Sequence, residues 1–324
     1  MIYNNFLGSE FMKLVIAETI GVDEVIVESL AKQILPKSVE VIYYNSLAKD
    51  DEEKIKRCQD ADMLIVANRP YRENVLINCK NLKMISVAFT GVDHIAVDYC
   101  HKQNIAISNC SGYANEAVSE LVMGMCISLY RKLAECAVAT KTYHTSAGLR
   151  GWELAGKKFG VIGAGAIGLK TAKLAQAFGC EVYCYRRNPP QNSEFNFVDM
   201  DTILKTCDII SLHIPLTKDT KGMINANKIA LMKKEAILIN TARGAVVDTQ
   251  ALATALNKGN IAGAGIDVFD VEPPIAQDNP LITAKNVVLT PHIGFDTQEA
   301  MKKRAVIALE NIAKWIEGKP QNII

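Results

Sequence analysis

Lys158-Phe159-Gly160-Val161-Ile162-Gly163-Ala164-Gly165-Ala166-Ile167-Gly168 is the stretch that decides how this chain folds. Lys158–Ile162 reads as a short buried strand, and Ala166–Phe178 reads as the helix that follows it. The glycines between them answer three physical needs. Gly163 permits the tight turn, Gly165 lets a pyrophosphate approach the backbone, and Gly168 lets the helix sit close to the strand. The N-terminus of that helix offers unpaired N–H groups and a positive dipole end to phosphate. Such a glycine pattern is weak alone and strong at a strand–helix junction. It implies a dinucleotide-binding β-α-β unit.

The alternation continues in both directions. Downstream, strands are expected at Lys158–Gly163, Glu181–Tyr185, Asp208–Ile214, Ala236–Thr241, Gly263–Val268 and Val287–Thr290. Upstream, they are expected at Lys13–Glu18, Val39–Tyr44, Met63–Asn68, Lys83–Phe89 and Ile105–Asn109. Helical patterns lie between the upstream strands at Asp23–Leu35, Asp50–Cys58, Arg72–Cys79 and His94–Gln103. This order gives right-handed crossovers and parallel sheets. Several strands are almost wholly apolar, as strands covered on both faces must be. One long helix is expected from Glu116 to about Tyr143, interrupted only by Gly124. It is apolar over most of its circumference, so another domain or a partner subunit must cover it. The last helix, Thr297–Gly318, is expected to pack back onto the first layer.

The chain has 324 residues, enough for two domains at about 150 residues each. Apolar residues make up 49% and charged residues 22%, an ordinary globular composition. Lys plus Arg number 36 against 35 Asp plus Glu, a net charge of +1, so bulk charge recruits neither nucleic acid nor an anionic membrane. The nine cysteines form no C-x-x-C pair. They read as reduced core thiols of a cytoplasmic protein, with no metal site. Residues 1–11 carry no basic, apolar leader and read as a ragged extension ahead of Met12. The longest apolar-rich stretch, Leu121–Tyr130, is far short of the roughly 20 residues of a bilayer span.

Three further motifs close downstream strands: Asn240-Thr241-Ala242-Arg243-Gly244, Asp267-Val268-Phe269-Asp270-Val271-Glu272-Pro273 and Thr290-Pro291-His292-Ile293-Gly294. In open parallel sheets ligands bind beyond the carboxyl ends of the strands. All three therefore point to the crevice of the glycine loop. The strand ending at Tyr185 runs into Arg186 and Arg187 instead of an acid. An acid there would bind the ribose 2′-hydroxyl of NAD. Two guanidiniums suit a 2′-phosphate, so NADP(H) is favoured over NAD(H).

With Gly91-Val92-Asp93, Ser111-Gly112-Tyr113-Ala114-Asn115-Glu116 and His213-Ile214-Pro215-Leu216, these motifs resemble the D-isomer-specific 2-hydroxyacid dehydrogenase family over nearly the whole chain. The implied fold is α/β. A Rossmann-type dinucleotide-binding domain (residues 111–296) is inserted into a flavodoxin-like parallel α/β substrate domain (residues 1–110 and 297–324). The resemblance implies a homodimer, here through the 116–143 helical segment. It also implies hydride transfer between a nicotinamide cofactor and a small 2-oxo or 2-hydroxy acid.

Carried over, Arg243 would grip the substrate carboxylate and polarise the 2-oxo group, and His292 would be the proton donor. Glu272 would bond and orient the imidazole. Gly91 and Val92 amides would hold the other end of the carboxylate, with Asn68 as a substrate neighbour. Asp267 would face the nicotinamide. Gly163, Gly165, Ala166, Ile167, Gly168, Tyr185, Arg186, Arg187, His213, Ile214, Pro215, Thr220, Thr241, Ala242, His292 and Gly294 would line the cofactor. Of the other histidines, His94, His101 and His144 read as structural or solvated.

The chain departs from the family at Ala166-Ile167, where a basic residue is common. Its Ala67–Tyr71 loop has only Arg69 for a phosphorylated substrate, and no regulatory domain is expected after the last helix. A small unphosphorylated substrate such as hydroxypyruvate or glyoxylate is the leading expectation. The alternatives are a phosphoglycerate dehydrogenase-type enzyme and a non-catalytic, NAD(H)-sensing, corepressor-like protein. Glu272 argues against the formate-specific branch, which pairs its histidine with a neutral partner.

Overall fold

The computed structural model describes residues 11–324. The expectation for residues 1–11 therefore lies, apart from Phe11, outside the described residues. The chain forms two compact units, one running to Ala114 and resumed over Thr297–Ile324, the other Asn115–Asp296.

The first unit holds β1 (Met12–Ile16), α1 (Glu24–Ile34), β2 (Val39–Tyr43), α2 (Asp51–Cys58), β3 (Met63–Val66), α3 (Glu73–Leu76), β4 (Met84–Val87), α4 (Val97–Lys102) and β5 (Ala106–Asn109). Its strands pair in parallel in the order β2-β1-β3-β4-β5, the flavodoxin-like arrangement. The apolar runs behave as their composition demands. β3 and β4 are buried along their whole length, whereas the edge strand β2 is half-buried. The C-terminal helix, Gln298–Ile316, is capped by Thr297, whose Oγ1 accepts the Ala300 N–H at 3.2 Å. It lies on this sheet, where Ser86 Oγ donates to the Ala308 carbonyl at 2.9 Å and Asn311 Nδ2 to the Asn109 carbonyl at 2.9 Å. The chain end then pairs antiparallel with β5 at Ser108 and Ile323, which covers an otherwise open sheet edge.

The second unit holds α5 (Asn115–Arg131), α6 (Leu133–Lys141), β6 (Lys158–Ile162), α7 (Ala166–Ala177), β7 (Glu181–Tyr185), β8 (Asn196–Phe197), α8 (Met200–Thr206), β9 (Ile209–Leu212), α9 (Ala226–Ile229), β10 (Ile237–Asn240), α10 (Thr249–Lys258), β11 (Gly263–Ile266) and β12 (Val287–Leu289). The parallel order is β12-β11-β10-β9-β6-β7-β8. Strand order reverses between β6 and β9. That is the switch point at which a Rossmann-type sheet opens its ligand crevice.

The single long helix expected over 116–143 is two helices. Lys132 takes φ +52°, a left-handed conformation that ends one helix and starts the next. The two halves differ in burial. α5 buries Val118, Val122, Met125 and Cys126 within its own unit, with Met125 against Gly265 of β11. α6 buries none of its residues. The cover expected for the whole stretch is thus supplied to α5 internally.

Candidate active site

The glycine loop follows β6. Gly163 has φ +103°, and a Cβ there would stand 2.5 Å from the His213 carbonyl oxygen across the switch point. A Cβ on Gly168 would overlap the Gly163 carbonyl oxygen, so the helix approaches the loop as closely as a backbone allows. At Gly165 a Cβ would meet nothing within 4 Å. α7 begins there with no side-chain cap and no acid in its first turn. Its first N–H groups are thus open to an anion. The Thr241 hydroxyl, after β10, is buried with no hydrogen-bond partner among the described residues. These features fit a dinucleotide's phosphates and a polar group of its far half.

The Tyr185 carbonyl, at the end of β7, accepts the N–H groups of Gly163 and Ala164 at 2.9 and 3.1 Å. Arg186 and Arg187 follow on the surface, and Arg187 Nη2 lies 3.6 Å from Asp219. His213 follows β9, and its Nε2 bonds Ser211 Oγ at 2.9 Å. Although the residue keeps some exposed surface, desolvation pushes its imidazolium down to about 4. His213 is therefore neutral near pH 7 and suits a cofactor border rather than an acid. The Thr220 hydroxyl donates to the Pro215 carbonyl at 2.6 Å and accepts the Thr217 N–H at 2.8 Å, which shapes the Ile214–Thr220 loop from within.

The trio Arg243, Glu272 and His292 comes from the ends of β10, β11 and β12. Asn240 shapes the first turn: its Oδ1 accepts the Ala242 N–H at 3.1 Å and its Nδ2 donates to the Arg243 carbonyl at 3.0 Å. Arg243 Nη1 donates to the Ala242 carbonyl at 2.8 Å. Gly244 lies against the next strand's loop, where a Cβ would overlap the Phe269 carbonyl carbon. No other residue lets the Arg243 loop sit on the loop that carries Glu272. Glu272 Oε2 accepts the Phe269 N–H at 3.1 Å, and Oε1 lies 2.8 Å from His292 Nδ1. The carboxylate is thus fixed at one oxygen and orients the imidazole with the other.

His292 takes φ +56° and donates its N–H to the Asp267 carbonyl at 2.7 Å. Asp267 is only 1% exposed. Burial pushes its carboxyl up, and the Thr290 hydroxyl and the Ile293 and Gly294 N–H groups oppose this. Those three donors reach its oxygens at 2.6, 2.8 and 2.8 Å. The resemblance implies that Asp267 faces the nicotinamide. In the structure its carboxylate holds the loop that carries His292, which is strained at that residue. Thr290 and Asn240, absent from the expected site, shape it. Both lie inside the motifs, but only their bonds reveal their part.

Asn68, Gly91 and Val92 belong to the first unit, at the carboxyl ends of β3 and β4. Asn68 is exposed, and Gly91 and Val92 are half-buried. Among the described residues no group of three His, Cys, Asp or Glu side chains could hold a metal ion, and no helix is long and apolar enough to cross a membrane.

The family model for "D-isomer specific 2-hydroxyacid dehydrogenase, NAD binding domain" matches residues 123–294. A glyoxylate reductase of Thermococcus litoralis is 36% identical over 309 residues, covering 89% of this chain and 92% of that protein. The chain belongs to the D-isomer-specific 2-hydroxyacid dehydrogenases. A hydroxypyruvate reductase of Blautia hydrogenotrophica is 33% identical over 294 residues, covering 88% of this chain and 91% of that protein. Among solved structures, an acyclic imino acid reductase in complex with NADPH and D-arginine superposes with a TM-score of 0.87 at 30% identity, over 97% of this chain and all (100%) of that one. This dehydrogenase therefore uses a nicotinamide dinucleotide, and its second unit contains the family's NAD-binding domain.

Proposed function

We propose that this dehydrogenase reduces a small, unphosphorylated 2-oxo acid, hydroxypyruvate to D-glycerate or glyoxylate to glycolate, with NADPH preferred to NADH. The observation that carries the chemistry is the 2.8 Å contact between Glu272 Oε1 and His292 Nδ1. With Nδ1 engaged, Nε2 is the ring nitrogen from which His292 donates a proton to the carbonyl oxygen. Arg243 binds the substrate carboxylate and polarises the 2-oxo group with its planar guanidinium. Gly91 and Val92 amides hold the carboxylate from the first unit, with Asn68 beside the substrate. When bound, the reduced nicotinamide supplies the hydride. Ala166, Ile167, Ile214, Pro215, Ala242 and Gly294 border the cofactor with the residues described above.

The substrate reading draws on relatives named hydroxypyruvate reductase and glyoxylate reductase. It also draws on Arg69, the one basic residue of the Ala67–Tyr71 loop, whose charge faces the buried Glu18 carboxylate and is partly offset by it. The cofactor reading rests on Arg186 and Arg187 and on the NADPH of the solved relative. The exposed pair of Arg187 with Asp219 is worth about 0–1 kcal/mol and leaves the guanidinium available to a 2′-phosphate.

Both readings are checked by oxidation of NADPH and NADH against hydroxypyruvate, glyoxylate, pyruvate and 3-phosphohydroxypyruvate. Hydroxypyruvate or glyoxylate should give the highest kcat/KM, with NADPH ahead of NADH by about tenfold, the equivalent of about 1.4 kcal/mol. Preference for NADH would refute the cofactor assignment, and preference for the phosphorylated acid would refute the substrate assignment. No turnover on any acid would favour a sensing role.

The same reading makes the protein a homodimer through the 116–143 segment. α6 supports this, with no buried residue and with Leu133 and Val138 49% and 63% exposed. Tyr143 and Trp152 add exposed aromatic surface nearby in sequence. Glutamates at both Leu133 and Val138 should turn a dimer into a monomer by light scattering, because a buried charge without a partner is costly. A monomeric wild type, or a variant that stays dimeric, would contradict this interface. The nine free thiols fit a reducing, cytoplasmic setting.

A further inference from the structure

We propose that Glu18 is a positioning residue that fixes the loop after β3, and with it Asn68, for substrate binding. This rests on the role given to Asn68 above. Glu18 follows β1 and is only 2% exposed. β1 and β3 pair with Ile16 opposite Ile65, so the chain past β1 emerges beside the chain past β3. This is the point at which the order of the first sheet, β2-β1-β3-β4-β5, reverses. Ligands of open parallel sheets bind at such a point.

The bonding there is specific. Glu18 Oε1 accepts the Ala67 N–H at 2.8 Å. One buried carboxylate therefore ties down the amide just ahead of Asn68, whose own side chain is left at the surface, and faces the charge of Arg69 just after it. From the other direction, His94 Nε2 lies 2.8 Å from the Ala67 carbonyl oxygen. His94 closes the Gly91-Val92-Asp93 segment, and its carbonyl accepts the Tyr71 N–H at 3.0 Å. The Ala96 N–H then bonds the Tyr71 carbonyl at 3.1 Å. The loops after β3 and β4 are thus one hydrogen-bonded body, and Glu18 anchors it to β1.

The placement works against the carboxylate's own solvation. Burial pushes Glu18 up, while the Ala67 and Arg69 amides and the charges of Arg69 and Lys54 oppose the shift. A strand end needs no buried acid. Acids held in such surroundings cluster at functional sites.

The test uses the full chain with hydroxypyruvate and NADPH, or with glyoxylate if that is turned over faster. Glu18→Ala, Glu18→Gln, Asn68→Ala and the double variant Glu18→Ala/Asn68→Ala are compared by steady-state kinetics. NADPH binding is followed by fluorescence titration. Asn68→Ala should raise the KM for the 2-oxo acid about tenfold. Glu18→Ala should raise it by a similar factor and leave the NADPH Kd within about twofold of wild type. Residues acting through one contact are not additive, so the double variant should be no worse than the poorer single. Glu18→Gln keeps the shape and one acceptor, and should fall between wild type and Glu18→Ala. If Glu18→Ala does not fold, Glu18→Gln decides, with a raised KM required.

An unchanged KM in Asn68→Ala removes the substrate role of Asn68 and the proposal with it. A raised KM in Asn68→Ala but not in the Glu18 variants overturns the proposal alone. So does an additive double variant. Parallel losses of kcat, NADPH affinity and thermal stability in the Glu18 variants would mark a merely structural acid, which also overturns it.

Discussion

Replacing His292 with asparagine should lower kcat/KM by about 10²- to 10⁴-fold, the range of a positioned general acid, and weaken NADPH binding far less. Asparagine is the informative substitution because residue 292 has φ +56°. Asparagine tolerates the left-handed region better than alanine does, so the loop keeps its course. The backbone bonds that hold the loop do not involve the imidazole. They are the residue 292 N–H on the Asp267 carbonyl and the Ile293 and Gly294 N–H groups on the Asp267 carboxylate. A folded variant that binds NADPH and barely turns over places the loss in proton transfer. Stopped-flow mixing with NADPH and hydroxypyruvate should show the hydride step itself slowed. Near-normal turnover in that variant would remove His292 from the mechanism.

The second large effect is expected at Arg243. Arg243→Ala should lower kcat/KM by about 10³-fold or more. It removes both the carboxylate partner and the charge that polarises the carbonyl, and a single electrostatic donor is worth about 10²–10³ in kcat. Arg243→Lys should recover little, because an ammonium cannot present the planar fork of a guanidinium. The fold should survive. The turn is held by Asn240 bonds to the Ala242 N–H and the Arg243 carbonyl, and Gly244 is pressed onto Phe269 through backbone atoms. The KM for the 2-oxo acid should rise while the NADPH Kd stays put. A variant with wild-type KM would show that another group holds the carboxylate.

The parts legible in the sequence are those that local chemistry specifies. The glycine loop can be read because its need is steric: the carbonyls of His213 and Gly163 leave no room for a side chain at residues 163 and 168. The central strands can be read because both faces are buried, which leaves no polar positions in β3 and only the terminal Asn240 in β10. The proposed trio of Arg243, Glu272 and His292 stands in motifs at strand ends, and the structure sets Glu272 Oε1 2.8 Å from His292 Nδ1.

What is not legible depends on distant partners. Nothing around Lys132 marks a break, since neither glycine nor proline stands there, and the apolar pattern runs on through Leu133 and Val138. β8 has two residues, too few to show a period. The bonds by which Asp267 holds the His292 loop carry no local signal, because its partners lie 23 to 27 residues away in sequence. Glu18 carries no local signal at all, because the Ala67 amide it holds is 49 residues away.

Arg243, Glu272 and His292 are proposed to direct hydride to one face of a small 2-oxo acid. The most direct measurement is the configuration of the product formed by the wild-type protein from hydroxypyruvate and NADPH, separated by chiral chromatography. D-glycerate, formed in step with NADPH oxidation, is the expected product. L-glycerate, a racemic product, or NADPH oxidation without glycerate would contradict it.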